Sequence, residues 1–438
     1  MSKSERKYRY AVCGLGPAGI GYLFACYRAR LLPDMVAQGL VMVDAESNPG
    51  GGALTEYRIT ANTTAGTFLE CLEGDHAKIF DSLKGEHEEL ISILEQRRQE
   101  PVDLILIGKF LQIIGAKIIE YIESLGGTKL SNSCLEEIRL GGDGLPHSLK
   151  LKNVITDNVF FLFANKVLLN FGANQSRATV KDYICNQFGE AGSVMVSKLL
   201  LADELLRMDE RSLSKVLSGV SHFLVLGSSH SSMSVIERVM TVKKESNNFR
   251  LSVLYRTPIK VFYSSVENAI DDGYEFSAEK DVCPLSGGVN RFGGLRFAAK
   301  DIGLEILKHG SVGLRNTPVD LYNSETMSTQ GILDLTRNVD KVAPCLGYTP
   351  IKIPVFDSEN KLVDLAKDGF GYKVSPYGEL FDDKGRKLPD IYSFGIGAGQ
   401  RASIEIGGEL SFRKRVDGVW LYHFDIGKKV ANALYSSD

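Results

Sequence analysis

Apolar residues gather at Tyr8–Cys13 and stop at Gly14. A short β-prone run of this kind predicts a strand. From Pro17 to Arg30 the apolar Ile20, Leu23 and Phe24 recur at helical spacing, and Leu40–Val43 is a compact apolar run. Strand, helix and buried strand make a βαβ unit, the opening of a doubly wound parallel sheet. The charged stretch 76–98 predicts a helix, and Pro101 stands where another could begin. Leu104–Leu125 is a long amphipathic stretch closed by Gly126–Gly127. Alternating segments at 149–151 and 159–162 precede a strand at 166–169, and residues 197–217 read as helix. A second βαβ opening follows, with a strand at His222–Leu226, a turn at Gly227–Ser232, a helix through Met240 and a strand at Leu251–Tyr255. Val339–Pro350 reads as a strand leaving this unit. Residues 371–394 read as strand, strand and strand around a turn at Asp382–Gly385, and 417–435 as a C-terminal helix.

Two βαβ openings, 213 residues apart from Gly14 to Gly227, predict an α/β protein with two Rossmann-like dinucleotide-binding domains, the second inserted into the first. The expected boundaries are 1–217 and 349–438 for the first domain and 218–348 for the insert. The 438 residues suit two or three domains. A formal net charge of −3 argues against nucleic acid as a partner. The seven cysteines form no CxxC pair, so zinc ribbons and redox dithiols are not expected, and no metal site is predicted. Scattered cysteines suit a cytoplasmic protein. The basic start and apolar 11–26 imitate a signal peptide, but Gly14, Gly16, Pro17, Gly19 and Gly21 would break its helix. No uninterrupted apolar run is long enough for a membrane span. Glycine stands out, with 44 Gly against 13 Pro, which points to tight turns and close backbone approaches rather than linkers.

Some of those glycines carry chemistry. Gly14-Leu15-Gly16-Pro17-Ala18-Gly19 is a G-x-G-x-x-G between strand and helix. Gly14 makes the tight turn, Gly16 lets a pyrophosphate reach the backbone and Gly19 lets helix and strand pack. The helix N-terminus at Pro17 and Ala18 adds a positive dipole and, from Ala18 onward, N–H donors. Asp44 ends the second strand, 25 residues after Gly19, where a ribose-binding carboxylate belongs, with Ala45 beside it and Glu46 as a competitor. The second turn reads Gly227-Ser228-Ser229-His230-Ser231-Ser232, a G-x-S-x-x-S variant whose hydroxyls can bond phosphate. Arg256 ends the following strand, where it would bind a 2′-phosphate and so favour NADPH over NADH. His230 reads as a turn residue rather than a catalytic base.

Asn48-Pro49-Gly50-Gly51-Gly52 begins its glycines six residues after Asp44. Here the sequence resembles the two-dinucleotide-domain flavoproteins, in which a Gly-Gly pair at that spacing approaches FAD. The resemblance implies FAD at the first turn, with Gly51 and Gly52 beside it, and NADPH at the second. Val342–Pro350 resembles the segment by which flavin monooxygenases leave the NADPH domain, with Cys345 and Leu346 in place of small residues. Asp390–Gly397 resembles their late flavin-contacting strand, with Gly395 at the contact and Ile396 where many members carry Asp. Without CxxC, what remains resembles class B flavin monooxygenases and the lysine and ornithine N-hydroxylases. Two departures stand: the F-x-G-x-x-x-H-x-x-x-W/Y fingerprint is missing, and so is the aromatic residue after Gly-Gly. Tyr57–Thr63 resembles the family stretch that carries an active-site Asn, which makes Asn62 the candidate catalytic residue. Its amide could donate a hydrogen bond beside the flavin without acting as a nucleophile.

The resemblance implies an NADPH-dependent FAD monooxygenase that uses O2 to oxygenate an N, S or C centre of a small molecule. Two alternatives stay open: an NAD(P)H:acceptor reductase of the same fold, and a non-catalytic nucleotide-binding regulator. A homo-oligomer is a further open point. Residues 53–100 and 258–330 are the segments left to shape a substrate pocket. Within them Tyr263, Glu267, Asp271, Asp272, Tyr274 and Glu275 form an aromatic–acidic cluster that could bind an amine but reads rather as a solvated loop.

Overall fold

The computed structural model describes residues 7–142, 144–170, 172–243, 248–314, 316–369, 371–401, 407–413, 416 and 418–436. The first sheet is built on β1 (Lys7–Cys13), followed by α1 (Pro17–Arg28) and β2 (Leu40–Val43). β1 is parallel to β2, and β2 is parallel to a short edge strand, Thr128–Leu130. Both faces of the second half of β1, Tyr10–Cys13, are buried, which explains why it is a continuous apolar run after Lys7 and Arg9. Tyr10 and Val12 enter the core on one face, and Ala11 and Cys13 enter the core on the other.

β3 (Thr60–Thr64) and β4 (Pro101–Asp103) form a separate antiparallel pair, so Pro101 opens a strand and not a helix. α2 (Leu104–Ser124) follows directly and covers the same face of the first sheet as α1. The charged stretch 76–98 is broken into short helices around Gly85 and His87 instead of one long helix. β5 (Ser133–Arg139), β6 (His147–Asn153) and β7 (Val159–Leu169) form an antiparallel meander. β7 is long enough to turn back into the parallel region, where its second half pairs with β1.

α3 (Arg177–Ser197), α4 (Ala202–Arg207) and α5 (Glu210–Val216) come next. They lie before the second sheet in sequence but pack onto it. α4 and α5 bury Leu205, Leu206 and Leu213 with Phe223 and Val225, and α3 buries Ile184 and Met195 with Leu224 and Leu226. Helices on the first-domain side of the expected 217/218 boundary thus share the core of the second sheet, because apolar faces and not strand order decide which core a helix joins.

The second sheet holds β8 (His222–Leu226), then α6 (His230–Lys243), β9 (Arg250–Tyr255), α7 (Phe297–His309), β10 (Thr317–Asn323) and β11 (Lys341–Pro344). β8 lies between β9 and β11, and all three are parallel. Strand order reverses at β8, which makes its carboxyl end a topological switch point. The chain then returns to the first sheet. β12 (Glu379–Phe381) and β13 (Lys387–Ser393) pair across a turn held by the Asp382 carboxylate, and β13 runs parallel to β7. Two C-terminal helices, Val419–Phe424 and Ile426–Ser436, cover α1, and residue 417, the expected start of the C-terminal helix, lies outside the described residues. Among the described residues no helix is long and apolar enough to cross a membrane.

Candidate functional site

Both glycine turns sit at carboxyl ends of parallel strands, and both open onto one cavity of about 1720 Å3. Sites for one small molecule usually measure about 300–1,000 Å3. The cavity therefore has room for more than one ligand.

At the first turn Gly14 has φ +89°, and a Cβ there would lie 2.5 Å from the carbonyl oxygen of Asn170. Gly19 is tighter, since its Cβ would fall 2.0 Å from the carbonyl oxygen of Gly14. Gly16 is the exception: its Cβ would meet only the Gly52 Cα, at 4.0 Å, so its space is open toward the cavity. It caps α1, whose first N–H groups have no side-chain partner at the cap. This is a cradle for an anionic pyrophosphate. Asp44 accepts from the Leu15 N–H and, at 2.7 Å, from the Glu46 N–H, and it lines the cavity with Ala45 and Glu46. Burial pushes its carboxyl above the usual range, opposed by those two backbone donors. Asn170, at the end of β7, buries both carboxamide atoms without a hydrogen-bond partner among the described residues and also faces this cavity. An open cradle, a carboxylate lining the cavity and an amide without a hydrogen-bond partner among the described residues fit a dinucleotide at this turn.

The glycines after Asp44 divide. Gly50 and Gly51 have a reason within the fold, because a Cβ at either would strike the backbone of α2, at Leu111 and Gly108 respectively. Gly51 is not among the cavity-lining residues, whereas Gly52 is. Gly395 likewise backs onto α1, with a Cβ 2.6 Å from that of Ala18, and Ile396 is the neighbour that reaches the cavity. Asn62 lies on β3 and is exposed to the cavity, close in sequence to Tyr57, Ala61 and Thr63, which also line it.

At the second turn Gly227 has φ +111° and packs against the Cys345 carbonyl. Ser228, Ser229, His230 and Ser231 line the cavity. Ser232 does not. It is fully buried under the turn, with its hydroxyl near the space beside Gly227, so it replaces the third glycine in packing and not as a phosphate ligand. Arg256 is exposed and lines the same cavity. His230 Nε2 accepts from the Arg296 N–H at 3.0 Å, and burial beside Arg296 holds its pKa down to about 4. A ring nitrogen that accepts a backbone hydrogen bond is neutral, which suits a positioning role in the turn.

Sequence reasoning missed several lining residues. Asn170 follows the strand beside β1, and that adjacency was the available signal. Lys260, Arg291, Arg296 and Glu409 come from irregular segments with no periodicity to place them. Tyr57 joins the two sheets' territories: its hydroxyl bonds Asp203 and, at 3.1 Å, Tyr348, and Arg207 stacks over its ring. The aromatic–acidic cluster is a brace. Tyr263 is buried and its hydroxyl bonds Asp272, which pairs with Lys308, while Tyr274 accepts from the Val261 N–H.

No family model matches the sequence. A CMP-5'-(3-aminopropyl)phosphonate hydroxylase of Streptomyces rubellomurinus is 25% identical over 447 residues, 98% of each chain. DfoA, the cadaverine monooxygenase of the desferrioxamine pathway of Erwinia amylovora, solved with FAD, superposes with a TM-score of 0.57 at 12% identity over 98% of this chain and 95% of its own. The Kutzneria ornithine N-hydroxylase KtzI, solved with reduced FAD, NADP+ and ornithine, gives 0.52 at 12% identity over 98% and 99%. The bacillithiol disulfide reductase of Bacillus cereus gives the same score and coverage at 12% identity, so reductases share the architecture. The chain carries the two-dinucleotide-domain flavoprotein fold found in the N-hydroxylating flavin monooxygenases.

Proposed function

We propose that the protein is an NADPH-dependent FAD monooxygenase that hydroxylates an amine nitrogen of a small molecule. The observation that carries this reading is the single cavity shared by two phosphate-binding turns on separate sheets. A hydride donor and a hydride acceptor could both be seated in it. When bound, FAD and NADPH supply the redox chemistry and the activation of O2. The chain supplies position. The backbone from Gly14 to Ala18 holds the FAD pyrophosphate and Asp44 accepts from its ribose. Gly227, Ser228 and Ser229 hold the NADPH pyrophosphate, and Arg256 pairs with its 2′-phosphate. Asn62 donates its amide toward the flavin. Phe68, Leu104, Phe292, Phe412 and Tyr422 give the cavity apolar wall, which keeps water from the reacting centre.

An amine substrate is favoured by the curated relative, whose substrate name carries an aminopropyl group, and by the N-hydroxylating neighbours. A dithiol reductase is disfavoured by the cavity cysteines. Three cysteines line the cavity, and burial raises the pKa of each, with Cys13 and Cys345 up to about 12, which disfavours a thiolate there at neutral pH. The test is purification, FAD loading and NADPH oxidation with and without an amine under 18O2. Labelled hydroxylamine formed in step with NADPH consumption supports the proposal. Fast turnover with a quinone and no labelled product would establish the reductase instead, and a protein that takes up no FAD would defeat both.

A further inference from the structure

The cavity has further cationic lining besides Arg256. Lys260, Arg291 and Arg296 supply it, with Asp281 behind and Glu409 beside them. Both carboxylates are already engaged. Asp281 pairs with Lys260 at 2.7 Å and also accepts from Ser411. Glu409 is buried and accepts from the Phe292 and Gly293 N–H groups, at 3.1 and 2.7 Å. Arg296 has no carboxylate within ion-pair distance among the described residues. Its guanidinium lies 3.5 Å from the centre of the Phe262 ring and donates from Nη2 to the Arg291 carbonyl at 2.8 Å.

That leaves a planar cation, partly desolvated, held at one face by an aromatic ring and facing a cavity. Burial, with Arg291 as a like charge and Glu409 pulling the other way, lowers its pKa to about 10, so it remains protonated at neutral pH. An incoming oxyanion would relieve both penalties. The backbone adds to this. Arg296 caps α7, a helix of 13 residues, and its own N–H is taken by His230, which fixes where the side chain starts. The guanidinium also acts on His230 of the second turn, whose pKa it helps to lower, so it borders the turn assigned to the NADPH pyrophosphate as well as the open cavity.

We propose that Arg296 is the specificity residue of the substrate pocket and that it seats a tetrahedral oxyanion, a phosphonate or phosphate, carried by the amine substrate. The inference rests on the monooxygenase reading and narrows its substrate class. The same oxyanion chemistry could come from NADPH, and the experiment separates the two sources.

FAD-loaded wild type, Arg296→Met and Arg296→Lys are titrated calorimetrically with 3-aminopropylphosphonate, with 1,3-diaminopropane and with NADP+. Met keeps the stem against Phe262 and removes the charge, and thermal melts check that each variant is folded. For Arg296→Met the phosphonate should bind at least about 30-fold more weakly, the lower end of the usual cost of losing one partner of a desolvated pair. Diamine and NADP+ affinities should stay within about twofold, and Arg296→Lys should recover part of the phosphonate binding. A loss confined to NADP+ would assign the residue to the cofactor. Wild type binding both amines equally, or a variant unchanged for all three ligands, would overturn the inference. The binding readout needs no turnover. If the phosphonate binds through Arg296 but no hydroxylated product forms, the oxygenase reading fails and the anion site stands.

Discussion

Gly16→Ala separates a fold glycine from a ligand glycine. The backbone at Gly16 has φ −67° and ψ −168°, which any residue can adopt. The added Cβ would meet nothing nearer than Gly52 Cα at 4.0 Å. Stability of the apoprotein should therefore change by no more than about 0.5 kcal/mol, the range of substitutions that touch nothing. FAD is a different matter. If the pyrophosphate backs onto Gly16, a methyl there overpacks the contact at about 1–3 kcal/mol. At 1.4 kcal/mol per decade this weakens FAD binding about 5–150-fold. Gly19→Ala is the control. Its Cβ would sit 2.0 Å from the Gly14 carbonyl oxygen, so the whole turn must shift and both properties should suffer. Urea unfolding of the apoproteins and quenching of flavin fluorescence on titration measure the two effects. A Gly16→Ala protein that binds FAD with wild-type affinity would refute the assignment of the pyrophosphate to this turn. So would an apoprotein loss of more than about 1 kcal/mol, which would make Gly16 structural.

Three other outcomes are expected. Arg256→Ala should raise KM for NADPH and leave NADH little changed; equal effects on both would remove the 2′-phosphate role. Asn62→Ala should keep FAD content and melting temperature while lowering hydroxylated product per NADPH consumed, and unchanged coupling would count against Asn62 acting at the flavin. His423 is fully buried between Phe24 and Phe424 with Nε2 unpartnered, and burial near Arg28 lowers its pKa to about 3. The unfolded chain takes up that proton below about 6.5 and the folded one does not. Stability is thus lost as pH falls from about 6.5 toward 3, at up to about 1.4 kcal/mol per pH unit. His423→Phe should flatten the fall of the urea midpoint between pH 6.5 and 4.5, and an unchanged slope would show that other groups cause it.

Local rules carried the sequence a long way. The strands at Lys7–Cys13, Leu40–Val43, His222–Leu226 and Arg250–Tyr255 were legible because each is short, apolar on both faces and bounded by turn residues. Their parallel pairing follows from the helices between them. Gly14 and Gly227 were legible because a chain that reverses at a strand end needs positive φ. Asp44 and Arg256 followed from counting to the end of the next strand.

What the tertiary structure decided is where long-range contacts compete. The helices from Arg177 to Val216 join the second core because their apolar faces match that sheet, a choice no local pattern contains. Gly50, Gly51 and Gly395 look like cofactor glycines in sequence, and the fold gives them helix contacts as a sufficient reason. Ser232 sits in a phosphate motif and turns inward to pack. The pocket wall of Lys260, Arg291, Arg296 and Glu409 is assembled from loops separated by up to 149 positions, from Lys260 to Glu409. Periodicity reports only neighbours on one element, so a charge left without a partner in a cavity becomes visible only when the chain has closed around it.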